Sequence, residues 1–166
     1  FFDGETQQII LPVLRPGNSH SNKWHVSILK RIIEKIQLKS PNIKITVRAD
    51  SGFSQPEFYE FAREKKLYYC IGIARNQRLS CKTTRAEKAV RYLFADNGIK
   101  HQHFVGAFEY QANSWEKPEK CHAKIESTGR GMNIRYIISN IPDMTSREIY
   151  FNFYVKRADT CENRIK

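Results

Sequence analysis

The sequence predicts an α/β fold, and three observations predict it. Apolar runs of strand length alternate with segments whose apolar residues recur at three- and four-residue steps. The runs are punctuated by turn chemistry at Arg15-Pro16-Gly17-Asn18, Ser40-Pro41-Asn42, Ser51-Gly52 and Arg75-Asn76. A strand-rich stretch then interrupts this rhythm before the chain turns helical again. With 166 residues, the chain is long enough for one domain, or for a domain carrying a large insertion.

Taken in order, residues 8–14 hold Ile9, Ile10, Leu11, Val13 and Leu14 and read as a strand ended by the Pro16-Gly17 turn. Val26, Leu29, Ile32, Ile33 and Ile36 then fall at helical spacing, with Lys30, Arg31, Glu34 and Lys35 on the other face. Pro41 stops that helix, and the alternating run Ile43, Ile45, Val47, Ala49 predicts a strand closed by Asp50. Ser54-Gln55-Pro56-Glu57 reads as a capping box with Pro in the first turn, opening a helix that buries Phe58, Phe61 and Ala62. Residues 69–74 form another compact apolar strand. Strand, helix, strand, helix, strand implies a mixed or parallel sheet with helices across it.

A helix is expected over 84–94, ended by Asn97-Gly98. Three strands follow, over 103–110, 121–126 and 133–139, joined by Asn113-Ser114-Trp115 and Thr128-Gly129-Arg130-Gly131. Their turn chemistry predicts a small antiparallel unit. Beyond Pro142, Thr145-Ser146-Arg147-Glu148 is a second capping box, and Ile149, Phe153 and Tyr154 can face the core of the closing helix.

Charge narrows the function. Lys and Arg total 28 against 17 Asp and Glu, a net charge of +11. That excess favours a polyanionic partner, nucleic acid above all, because neutralising phosphates releases counterions. No apolar run approaches membrane-spanning length, and no signal peptide opens the chain. The four cysteines, Cys70, Cys81, Cys121 and Cys161, are widely spaced, which is economical for a reduced, cytoplasmic protein. His101, His103, Cys121 and His122 match no zinc spacing. Phe1-Phe2-Asp3-Gly4 reads as the middle of a strand, and the final residues as a helix without a C-cap, as expected of a segment from a longer protein.

Two groups of residues carry candidate chemistry. Asp is a poor strand former, so Asp50 at a strand end serves either a metal or an Asx turn with the following Gly52. Ligands in α/β folds gather at the carboxyl ends of strands. The closing helix offers Tyr154, Arg157 and Glu162, with Lys166 beyond. Such a set suits a phosphate beside a metal ion, or else a solvated helix with incidental ion pairs.

These residues resemble a known family. Phe2-Asp3-Gly4-Glu5-Thr6 with Leu14-Arg15-Pro16-Gly17-Asn18, then Arg48-Ala49-Asp50-Ser51-Gly52-Phe53, then Tyr69-Cys70-Ile71-Gly72-Ile73-Ala74-Arg75-Asn76, and finally Tyr154-Val155-Lys156-Arg157 with Glu162-Asn163-Arg164-Ile165-Lys166 run in the order seen in bacterial insertion-sequence transposases of the DDE type. The likeness is to the IS-thirteen-eighty group of the IS-four clan and spans nearly the whole chain. It implies an RNase H-like mixed sheet flanked by helices, with a β-rich insertion before the last helix. Residues 1–76 would be the first part of the core, 77–140 the inserted subdomain, and 141–166 the returning helical part.

By the same resemblance, Asp50 and Glu162 are the second and third members of a triad holding Mg²⁺, with Mn²⁺ as a substitute. Tyr154 and Arg157 would contact DNA phosphate near the cut, and Lys166, Arg48 and Arg15 would hold backbone. Trp115 would stack on an extruded base. The partners implied are double-stranded DNA at element ends and target, and a second copy of the chain as a homodimer. Two departures stand out. The family's first catalytic Asp lies upstream of the Phe2-Asp3-Gly4 block, so the 166-residue chain is expected not to nick DNA alone. Arg157 and Glu162 enclose four residues where the family pattern has three. A nucleic-acid-binding domain descended from a decayed or domesticated transposase, or an RNase H-like nuclease, is the competing expectation.

Overall fold

A computed structural model describes residues 1–14, 16, 24–96 and 101–156. Five strands form one mixed sheet in the order β1-β2-β5-β4-β3. β1 (Thr46–Ala49) runs parallel to β2 (Tyr68–Ile73), while β5 (Gly131–Ser139), β4 (Glu119–Thr128) and β3 (His101–Tyr110) complete the sheet as antiparallel neighbours. Helices α1 (His25–Lys39), α2 (Pro56–Glu64) and α3 (Gln77–Asp96) accompany it, and α4 (Ser146–Glu148) continues directly into a π-helical turn, Ile149–Tyr154. This flanked mixed sheet is consistent with an RNase H-like fold.

Period-two alternation divides the sheet into two faces. Val47, Ala49, Tyr69, Ile71, Cys121, Ala123, Tyr136 and Ile138 pack with α1, α2 and Leu79 of α3. The alternate residues Cys70 and Ile137 pack instead with Ile149 and Tyr150, backed by Phe153 and Tyr154. Three helices therefore cover one face, and the π-helical turn covers the other.

The helices form for local reasons. α1 buries His25, Val26, Leu29 and Ile33 along one stripe. α2 starts with Pro56, whose missing N–H is harmless in a first turn. Its N-cap is Gln55, not Ser54 as the capping-box reading expects, because the Ser54 hydroxyl is taken by the Tyr59 hydroxyl at 2.8 Å. α3 begins seven residues before the expected start at residue 84. Asn76 explains the difference: its side-chain oxygen accepts the Leu79 N–H at 3.0 Å and so caps the helix. The Thr145–Glu148 capping box is formed in both directions.

The strand expected over residues 8–14 does not form. Phe2 and Ile9 make one isolated antiparallel bridge, while Ile9, Ile10, Leu11 and Leu14 are exposed. An apolar run becomes a strand only when a neighbour supplies its ladder, and none of the described strands lies beside this one. The antiparallel unit of residues 101–139 does form, closed by a two-residue turn at Gly129-Arg130 with Gly131 at φ +109°.

A polar brace ties α2 and β2 to the start of β4. Arg63 donates to Glu119 at 2.7 Å and reaches Glu116 at 3.3 Å, and the Tyr69 hydroxyl donates to the other Glu119 oxygen. Burial, then the carboxylate beside it, pushes the Tyr69 phenol above its ordinary range, so it stays a donor. Beside this brace, Trp115 packs tilted against Tyr59 and edge-on to Tyr110, with ring centroids 4.6 and 5.3 Å away.

Candidate active site

The site forms where β1 and β2 end. Ala49 pairs with Ile71, so Asp50 and Gly72 stand one step further along, side by side at the carboxyl ends of parallel strands. Asp50 ends β1 because its side chain turns back. Its Oδ1 accepts the Gly52 N–H at 2.9 Å and opens the 3₁₀ turn Ser51–Phe53. The second carboxylate oxygen has no hydrogen-bond partner among the described residues. The Asx turn and the presentation of a hard oxygen are thus both available to one half-buried carboxylate.

Tyr154 arrives from the far end of the chain. A Cβ placed on Gly72 would lie 2.5 Å from the Tyr154 hydroxyl oxygen, 3.1 Å from Ser51 N and 3.4 Å from the Asp50 carbonyl carbon. Gly72 leaves the space into which this hydroxyl fits, against the backbone of the Asp50 turn. The π-helical turn brings it there: Val155 N–H bonds to Tyr150 O at 3.1 Å, the five-residue step of a wide turn. Tyr150 packs beneath Tyr154 with ring centroids 6.2 Å apart.

Arg48 fastens the approach. It projects from β1 to the same face, donates to the Phe153 carbonyl oxygen at 2.7 Å, and sits over the Phe153 ring at 5.2 Å. Its guanidinium is therefore tied to the turn that carries Tyr154. Trp115 is 7 % exposed in the core beside Tyr59 and Tyr110, with its ring packed rather than presented. Arg15, Arg157, Glu162 and Lys166 lie outside the described residues.

Two other nucleophile or ligand options close. Strand alternation sends Cys121 and His122 to opposite faces, and no group of three His, Cys, Asp or Glu side chains able to hold a metal occurs among the described residues. Burial pushes the Cys70 and Cys121 thiols up to about 12, so both are inert packing groups.

His122 links the sheet to the closing helix. It is 2 % exposed, and its Nδ1 lies 2.9 Å from the Ser146 hydroxyl at the start of α4. Burial first, and Lys120 second, pull the imidazole down to about 4. The unfolded chain takes up this proton near 6.5, so between these values it binds more protons than the folded one. Stability is full above pH 6.5 and falls as pH drops toward 4, by roughly 2–3 kcal/mol. His122→Gln, which keeps a partner for Ser146, is expected to flatten this part of a melting-temperature profile. An unchanged acid slope in the variant would assign the effect to other groups.

The fold and this corner define an α/β protein with a carboxylate and a phenol placed at the carboxyl edge of a parallel strand pair, from residues distant in sequence. The chain matches the family described as transposase DDE domain, group 1, over residues 1–166, the whole of the sequence. It belongs to that family and is a transposase domain. No curated protein and no solved structure matches it. Among the described residues, no helix is long and apolar enough to cross a membrane.

Proposed function

We propose that this chain is the catalytic region of a DDE transposase that cuts and joins the DNA of an insertion sequence, of the bacterial IS-thirteen-eighty type. One observation supports the reading: the Tyr154 hydroxyl comes to the Asp50 turn at Gly72, so two residues that the resemblance assigns to the site lie near each other although they are far apart in sequence.

Asp50 and Glu162 would hold a divalent cation, Mg²⁺ or Mn²⁺. The free carboxylate oxygen of Asp50, at the open end of β1, suits such a hard ion. The ion, when bound, supplies activation of the attacking hydroxyl and stabilisation of the departing oxygen. The chain's own residues supply position. Tyr154 offers a phenol to a phosphate oxygen at the strand ends, Arg157 adds a bidentate cation, and Arg48 holds the turn that aims Tyr154. Lys166 and Arg15 would follow the backbone of double-stranded DNA, and a second copy of the chain would hold the other DNA end. Residues 77–140 would act as an inserted subdomain between the two parts of the core.

Asp50→Asn in the complete polypeptide that carries this sequence tests the reading. Mg²⁺-dependent nicking of a supercoiled plasmid is expected to fall by about 10³-fold or more, with duplex binding changed less than about twofold. Nicking at the unsubstituted rate in Asp50→Asn would remove Asp50 from the chemistry. Unsubstituted protein that binds duplex but never nicks it would favour a binding domain instead.

A further inference from the structure

We propose that the solvent face of α3 is a second surface for the sugar-phosphate backbone of duplex DNA, on the side of the sheet opposite Tyr154. This rests on the transposase reading and adds a contact which that reading does not supply.

The inner side of α3 is fixed by its packing. Leu79, Thr83 and Val90 are buried, and Thr83 shares a 2.8 Å hydrogen bond with the Tyr136 hydroxyl of β5. At 100° per residue, Arg78, Arg85 and Lys88 then lie on the outer side, with Lys82 and Arg91 on its two flanks, all exposed. Besides Asp96 at its last position, Glu87 is the only carboxylate in the sequence of α3, and it turns away from this row, accepting from Thr83 at 2.7 Å and meeting Arg75 at 3.4 Å. Among the described residues, Lys82, Arg85, Lys88 and Arg91 have no carboxylate partner.

Such a row works against the helix that carries it. Arg78 and Lys82 are four apart, and Lys82, Arg85, Lys88 and Arg91 follow at steps of three. Like charges at these steps destabilise a helix by roughly 0.2–0.5 kcal/mol per pair. An amphipathic helix needs only a polar outer face, and alternating signs would provide it without that penalty. A polyanion relieves the repulsion, and duplex backbone fits the shape. The row extends about 20 Å along the axis, about the rise of six base pairs. A membrane surface suits it poorly, because Tyr92 and Leu93 are the only large apolar side chains exposed among the described residues of α3, too few for an apolar face.

Leu79 belongs to the core cluster under α1 and α2, whereas Tyr154 packs with the cluster on the other face. A duplex on α3 is therefore separate from the strand ends where Tyr154 and Asp50 meet. One protein could hold two DNA segments, one at the chemistry and one behind the sheet.

The test compares two variants with equal charge loss. Lys82→Gln, Arg85→Gln, Lys88→Gln and Arg91→Gln are combined in one protein, and Lys39→Gln, Lys44→Gln, Lys66→Gln and Arg130→Gln, all exposed and dispersed, in the other. Binding of a labelled 30-base-pair duplex of arbitrary sequence is followed as salt is raised. For the α3 variant, the slope of log affinity against log salt is expected to shrink by about 3 to 4, against less than about 1 for the dispersed one. Cys81, exposed between these cations, gives a positional readout in a Cys161→Ser background. Duplex should slow its alkylation at least fivefold. Equal slopes for both variants, or unprotected Cys81, would overturn the α3 surface while leaving DNA binding intact. Polyglutamate that protects Cys81 as well as duplex does would overturn the assignment to DNA. Absence of duplex binding by the unsubstituted protein would defeat both this inference and the reading beneath it.

Discussion

On the proposed function, Gly72→Ala is expected to lower DNA cleavage by the complete polypeptide about 10²-fold while leaving a folded protein. The added methyl would stand 2.5 Å from the Tyr154 hydroxyl oxygen and 3.1 Å from Ser51 N. The backbone contact yields little, so the phenol must retreat by about 1 Å, a displacement that can cost 10²-fold in a positioned reaction. Overpacking of this kind also costs about 1–3 kcal/mol of stability. Tyr154→Phe in the same protein removes the clashing oxygen. The double variant should therefore regain most of the lost stability without regaining cleavage. If Tyr154→Phe rescues nothing in a urea titration, the close approach at Gly72 is not what Gly72→Ala disturbs. Normal cleavage by Gly72→Ala would show that the phenol has no positioning role.

Glu119→Ala is expected to be strongly destabilising, although it lies away from the site. Glu119 has a side chain 10 % exposed and serves two donors, Arg63 and the Tyr69 hydroxyl. Truncation leaves the buried Tyr69 phenol without its acceptor and Arg63 with Glu116 alone. Leaving a buried donor without its acceptor costs about 1–3 kcal/mol, and losing a hydrogen bond to a charged group adds about 1.5–3 kcal/mol. For a chain of this size, that corresponds to a melting temperature lower by roughly 10 °C. Glu119→Gln keeps an acceptor for Tyr69 and should lose about half as much. A loss below about 1 kcal/mol in Glu119→Ala would mean that water replaces the brace, which would then not organise the junction of α2, β2 and β4.

Much of the fold was legible because it rests on local patterns. The apolar stripe of α1, the turn chemistry between β4 and β5 and the Thr145 capping box each need only a few neighbouring residues. Where the reading departs from the structure, a distant partner decides. Ser54 gives its hydroxyl to Tyr59 instead of capping α2, and the run over 8–14 lacks a neighbouring strand. Asn76 is the exception. Its cap is local, but a position read as the end of β2 hid it.

The site was legible in the same uneven way. Asp50 stands out because a carboxylate closes an apolar run, and only the structure shows that one of its oxygens is already engaged by Gly52. Gly72 gave no signal, since its smallness matters only once Tyr154 is brought against it. Arg48 reads from sequence as one more cation for phosphate, and its grip on Phe153 follows from a pairing across 105 positions. Trp115 shows the limit of aromatic residues in loops, as the loop folds inward onto Tyr59.

The insertion of β5 beside β2 has a kinetic consequence. The hairpin of β4 and β5 closes over two residues and can form in microseconds, whereas β2 must wait for a strand that starts more than fifty residues later. Arg48 waits longer still for Phe153. During synthesis the corner of Asp50, Gly72 and Tyr154 is thus among the last regions to become ordered, and a ribosome-bound chain carries its hairpin before that corner is complete.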